Sequence, residues 1–205
     1  MLADISGKGI SAALLTASLQ ASLRSHYAQT PDDLPRILRA VNRTFFESTE
    51  TSRYATLFFG VYDEGSGRLQ YANCGHLPPV VLASDGSIRR LMPTAGLIGL
   101  FADWQSEIGE IDLKADDTLI IFSDGVVEAL DANGTEFGEE RLVEMLRQQA
   151  LLPADLLVKT VVAAVRAHSG PATYDDLTLI VARSRGHTGR DAVDAEQQTN
   201  LVSMR

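Results

Sequence analysis

Three acidic spots in this chain share one local design, a carboxylate at a strand end or turn beside Gly or another Asp. They are Asp4 in ADISGKG, Asp124 in FSDGVVEA and the pair Asp175 and Asp176 in TYDDLTLIV. Asp124 directly follows the apolar run 119–122, and Gly125 lets the backbone turn away sharply. Asp175 and Asp176 directly precede the last apolar run. Carboxylates at the ends of neighbouring strands can converge on one point, where their mutual repulsion calls for a cation. Hard cations such as Mg²⁺ and Mn²⁺ prefer oxygen ligands, and Mg²⁺ keeps several waters, so a few carboxylates suffice. Each Asp-Gly or Asp-Asp pair alone is also an ordinary turn former. The metal reading rests on three of them together, each abutting an apolar strand.

Other chemistries fit less well. SGKG at 6–9 invites a phosphate-loop reading, but no Gly stands five residues before Gly7, and Gly9 rather than Ser or Thr follows Lys8. Its glycines let the backbone pass close to a metal site before a helix begins. His76, in NCGHLPP at 73–79, titrates in the range of an acid or base. The favoured alternative is that Asn73, Gly75 and the two prolines shape a tight connection in which His76 bonds the backbone. Ser123 lacks the Gly-x-Ser-x-Gly elbow of a nucleophile. An aspartyl-phosphate mechanism needs a nucleophilic Asp two residues before its partner, and that position is Phe122.

The elements that must position these residues are legible from period and punctuation. Residues 10–26 are rich in Ala and Leu and predict a helix. A second helix is expected over 31–48, capped by Thr30, with Pro31 at its first position and Leu34, Ile37, Leu38, Val41 and Phe45 on one face. Hairpins are expected from 54–63 with 68–74, and from 79–83 with 88–91. Strands at 104–112 and 118–123, a short helix near 126–130, and helices at 139–149 and 154–168 follow. The last of these is expected to bury Leu156, Leu157, Val161 and Val165. A strand at 177–183 closes the pattern, and 184–205 is expected to be a disordered tail. Hairpins in series, with helices in separate blocks, predict an antiparallel α+β fold.

Composition narrows the function classes. A net charge of −9 repels phosphate backbones, which argues against nucleic-acid binding. The single cysteine, Cys74, excludes an internal disulfide and a cysteine-based zinc site. No apolar stretch is long enough to span a bilayer, and a cytoplasmic location without membrane insertion is expected.

Taken in order, ADISGKG, YATLFFGVYD, YANCGHLPPVVL, FSDGVVEA, FGEERL and DDLTLIV resemble the SpoIIE/RsbU branch of the PPM-type serine/threonine protein phosphatases, over residues 1–183. The resemblance implies a β-sandwich flanked by helices, with a binuclear Mn²⁺ or Mg²⁺ centre at one end. Asp4 then matches a metal-binding Asp, Ile5 offers its backbone carbonyl, and Asp124 and Asp175 match two further metal ligands. Asp176 and Gly125 are their neighbours, and His76 carries over no role. The implied chemistry is attack by metal-activated water on phosphoserine or phosphothreonine, with no protein nucleophile. The substrate class is a phosphorylated regulatory protein such as an anti-sigma-factor antagonist, in bacterial partner-switching signalling. A homodimer or an upstream sensor domain is the implied regulator, acting through the first two helices.

The family also places a metal-ligand Asp in a GGD-type segment upstream of the first motif. Residues 1–4 read as the tail of a strand, so the domain is expected to be N-terminally incomplete, with its first strands missing. The alternative function is a catalytically impaired, phosphatase-like binding or sensor module.

Overall fold

The computed structural model describes residues 1–49, 53–170 and 176–186. Strand β1 (Leu2–Ile5) leads through the SGKG loop into helix α1 (Ile10–Gln29), then α2 (Leu34–Ser48). Strands β2 (Ala55–Asp63) and β3 (Arg68–Cys74) form the first hairpin, and β4 (Val80–Leu82) and β5 (Ile88–Arg90) the second. After β6 (Gly109–Asp112) come β7 (Thr118–Phe122), the one-turn α3 (Asp124–Val127), α4 (Glu139–Gln148), α5 (Ala154–Ser169) and β8 (Leu179–Arg183). One sheet runs β1-β2-β3-β6 and the other β5-β4-β7-β8, each strand antiparallel to its neighbours. The expected α+β architecture of helix-flanked antiparallel sheets is the one found.

Period-2 alternation builds the layers. In β2, Leu57 packs towards α1 and α2 while its neighbour Phe58 joins the layer between the sheets. In β7, Ile120 and Phe122 face α4 and α5 while Leu119 and Ile121 meet Phe58, Leu69 and Val81 from the other side. The result is helices, sheet, sheet, helices, with an apolar layer at each of the three junctions. Among the described residues, side chains rather than strand pairing hold the two sheets face to face.

Several boundaries differ from the sequence reading, each for a local reason. Helix α2 starts at Leu34 with Pro35 in its first turn. Asp33 rather than Thr30 caps it, its carboxylate accepting the Arg36 N–H at 3.1 Å. Thr30 instead closes α1, donating its hydroxyl to the His26 carbonyl, and the Asp33 N–H bonds back to Thr30 O at 3.2 Å in a tight turn. Strand β6 begins only at Gly109, because Trp104 turns inward and donates its indole N–H to Gly96 O at 2.9 Å. In α5, Leu157, Val161 and Val165 are buried but Leu156 is exposed, one position off the apolar stripe. Helix α3 begins at Asp124 itself, whose carbonyl accepts the Glu128 N–H at 2.8 Å. Packing continues past residue 183: Ser184 is buried and its N–H donates to Asp117 O at 2.8 Å. The rest of the expected tail, 187–205, lies outside the described residues.

The segment between β5 and β6 straps the first helical layer to its sheet. Buried Asn42 of α2 accepts the Gly99 N–H at 2.7 Å and donates to Phe101 O at 3.0 Å. Ile98 and Ala55 exchange both backbone hydrogen bonds at 2.9 Å. Asn42→Ala leaves the buried Gly99 N–H without its partner, which costs about 1–3 kcal/mol. Chemical denaturation should show a lower midpoint with an unchanged slope.

Candidate active site

The acidic residues gather at one end of the sandwich. Alternation along β1 sends Ala3 and Ile5 towards the helices and leaves Leu2 and Asp4 on the side of the second sheet. Asp124 follows the last residue of β7, and β8 runs antiparallel to β7, so Asp176 precedes β8 at the same end. The NCGH connection between β3 and β4 lies there too. The imidazole of His76 feels the negative charges of both Asp124 and Asp4. Two sheets thus deliver one carboxylate each to a common neighbour.

Each acidic loop is tied down by backbone and hydroxyl groups. At the first, Ser6 N–H donates to Tyr54 O, and Tyr54 N–H donates to Ser6 Oγ, both at 2.9 Å. Arg53 adds a bond from Nη1 to Ser6 O at 2.7 Å. At the second, Ser123 N–H donates to Thr178 O at 3.0 Å, and Thr178 N–H returns a bond to Ser123 Oγ at 2.9 Å. The Ser123 hydroxyl in turn donates to Asp176 O at 3.2 Å. Gly125 is required by this contact: a Cβ there would lie 2.7 Å from Asp176 O. The Asp124 carboxylate is oriented by the Gly125 N–H, which donates to Oδ1 at 2.8 Å.

His76 is buried, and its backbone N–H donates to Asn73 Oδ1 at 2.9 Å. Asn73 is itself held by the Leu91 carbonyl, to which its amide donates at 3.0 Å. Ring Nδ1 lies 2.8 Å from Leu77 O. A carbonyl only accepts, so Nδ1 carries the proton and Nε2 keeps its lone pair. Burial lowers the His76 pKa below the ordinary 6.5, against the opposing pull of the Leu77 carbonyl, Asp124 and Asp4. Cys74, also buried, has its thiol pushed up to about 12 by desolvation and is unreactive at neutral pH.

Asp4 and Asp124 are exposed oxygen donors, and among the described residues neither forms an ion pair. That donor set fits a hard cation held by one or two carboxylates and completed by water or substrate oxygens. Among the described residues, no three His, Cys, Asp or Glu side chains form a metal-binding group by themselves. Asp175 lies outside the described residues, and only its neighbour Asp176 is placed. Arg53 and the splicing roles of Ser6 and Ser123 were not read from the sequence, because each depends on a partner about 50 residues away.

Two four-stranded antiparallel sheets packed between helices, with acidic loops converging at one end, define the class of PPM-type serine/threonine phosphatase domains. Residues 1–185 match the family model of Stage II sporulation protein E, and the chain belongs to that SpoIIE family. It is 26% identical over 185 residues to the phosphoserine phosphatase RsbU of Bacillus subtilis, covering 90% of this chain and 55% of that protein. The crystal structure of the RsbU and RsbW domains of Rv1364c from Mycobacterium tuberculosis matches with a TM-score of 0.74 and 25% identity, covering 91% of this chain and 51% of that one. The catalytic domain of serine threonine protein phosphatase PstP, in complex with two manganese ions, matches with a TM-score of 0.65 and 17% identity, covering 88% and 85%. The chain spans about a third to about half the length of the curated relatives it matches. No helix among the described residues is long and apolar enough to cross a membrane.

The His76 environment has a testable sign. A histidine whose folded pKa is depressed binds its proton less readily folded than unfolded, so it favours folding above the ordinary value of 6.5 and loses that contribution as pH falls below it. His76→Gln should therefore show a smaller drop in Tm than the unsubstituted protein when thermal melts are compared at pH 7.5 and 5.5.

Proposed function

We propose that this domain hydrolyses phosphoserine or phosphothreonine on a regulatory protein, with Mn²⁺ or Mg²⁺ as a binuclear cofactor. The observation that carries this reading is the delivery of Asp4 and Asp124 from different sheets to one end of the sandwich, where both act on His76. The cations would be held by Asp4, the Ile5 carbonyl, Asp124 and Asp175, with Asp176 beside them. When bound, they supply Lewis acidity for water and the phosphoryl oxygens. The chain's own groups do the positioning. The Gly125 N–H orients the Asp124 carboxylate, the Ser123 hydroxyl holds the 176–178 backbone against it, and β1 presents Asp4. Among the described residues no basic side chain pairs with either carboxylate, so the bare site is anionic and repels a phosphate dianion. Bound cations would reverse that local sign, which would let a chain of net charge −9 accept such a substrate.

RsbU and RsbP of Bacillus subtilis are named as phosphoserine phosphatases. Their likeness to this chain supports a phosphorylated protein substrate of the anti-sigma-factor-antagonist type, met in the cytoplasm within partner-switching signalling. A phosphatase-like module that binds such a protein without turning it over is the second reading.

One assay separates the two. A phosphoserine protein is incubated with the domain and Mn²⁺, with and without chelator, and phosphate release is followed. Turnover that stops with chelator supports hydrolysis, and binding without release supports the second reading. Asp124→Asn should lower turnover about 100-fold or more, since metal charge stabilisation is worth several kcal/mol and 1.36 kcal/mol is tenfold. Its circular dichroism should be unchanged, because Asp124 is exposed.

The first helices are the proposed input for a homodimer partner or an upstream sensor. Helix α1 follows the SGKG loop directly, so a shift of the helix drags the loop. It also leaves Ile10 and Leu14 exposed at 82% and 67%. Arg36 and Arg39 lie on the outer face of α2. Arg36→Glu with Arg39→Glu should change activation by a partner while leaving the melting temperature of the isolated domain within about 2 °C, as surface changes stay near ±0.5 kcal/mol.

A further inference from the structure

We propose that Arg53 is a positioning residue, holding the loop between β1 and α1 in the shape that presents Asp4 and the Ile5 carbonyl to a cation. The inference rests on the reading of that loop as a metal-holding segment. Arg53 stands two residues before β2, far in sequence from the loop it touches. Its Nη1 donates to Ser6 O at 2.7 Å, and its Nη2 reaches Ser11 Oγ, in the first turn of α1, at 3.5 Å. One planar guanidinium thus bridges the loop backbone and the start of the helix that follows.

Gly7 shows how closely the two fit. It has a φ of +98°, a conformation that favours glycine, and a Cβ added there would fall on Nη1 of Arg53. The guanidinium fills the volume that any other residue at 7 would need. With Tyr54 on its other side, Ser6 has its N–H, its carbonyl and its hydroxyl all bonded to residues 53 and 54. Ser6 directly follows Ile5, and Ile5 and Asp4 pair with Ala55 and Thr56 on the same strand that Arg53 and Tyr54 introduce. The metal-facing residues and their clamp therefore share one rigid frame, and Arg53 closes its open end.

The charge of Arg53 gives the inference a sign that a purely electrostatic role would reverse. A cation beside a cation site opposes metal binding, so simple loss of its charge should tighten Mn²⁺ affinity. Loss of a positioning contact weakens it, and partners of this kind typically contribute 10–100-fold in metal affinity. The forked geometry also separates Arg from Lys, which keeps the charge but cannot span two acceptors in a fixed plane.

The test is calorimetric titration of Mn²⁺ into the metal-free 205-residue chain and its Arg53→Ala and Arg53→Lys variants, without substrate, alongside thermal melts of each. The expected result is a Kd about tenfold higher for Arg53→Ala, a smaller rise for Arg53→Lys, and metal-free melting temperatures close to the unsubstituted value. A Kd that is unchanged or lower in the folded variants would overturn the inference while leaving the site reading intact. Should Arg53→Ala not fold, the Arg53→Lys comparison decides on the same criterion. No Mn²⁺ binding by the unsubstituted chain would overturn the site reading itself, and the inference with it.

Discussion

The apolar layer between the two sheets decides where the two acidic strand ends lie. Phe58 and Leu69 from one sheet meet Val81, Leu119 and Ile121 from the other, and among the described residues no strand pairing joins the two sheets. Side-chain packing in this layer therefore sets the relative placement of β1 and β7, and with them Asp4 and Asp124. Interiors pack as densely as organic crystals, so such a layer tolerates little sliding. Two like charges held on separate sheets cannot relax apart without disturbing it. In the proposed reading, a cation would offset their repulsion.

The same device appears at both acidic loops. Ser6 and Ser123 each sit beside the carboxylate-bearing turn, and each uses its backbone and hydroxyl to splice that turn to an adjacent strand start. The glycines Gly7 and Gly125 then admit a close neighbour, a guanidinium in one case and the Asp176 backbone in the other. The Asp-x-Ser-Gly and Ser-Asp-Gly patterns are thus more than turn chemistry. In each, the hydroxyl fixes the loop, the glycine makes room for the contact that braces it, and the carboxylate faces solvent.

Much of this was readable in the chain because period and punctuation agree. The apolar run at β7 is buried throughout and that at β8 is mostly half-buried, and Asp124 and Asp176 sit at their ends. The start of α2 is ambiguous in the sequence because Pro31 and Pro35 both suit a first helical turn, and only the carboxylate of Asp33 in place shows which start wins. The β6 boundary failed because Trp104 is as compatible with a strand as with the inward turn it takes. Arg53 was invisible for a different reason. Nothing in Ser-Arg-Tyr at 52–54 signals that its guanidinium lies over Gly7, since that contact exists only once β1 has paired with β2. Sequence carries strong local signals, whereas the braces around this site are long-range.

That long-range character sets the order in which the molecule becomes whole. β1 must find β2 across two intervening helices, and β7 must wait for β8 across three. Pairings so distant in the chain close late, after local hairpins and helices have formed. As the polypeptide leaves the ribosome, Asp124 emerges with its helix-forming turn but without the strand that braces it. The clamp on Ser123 completes only when Thr178 arrives, 55 residues further along the chain. Maturation of the acidic end thus waits for β8, and a chain stalled before that strand carries Asp124 on an unfastened turn.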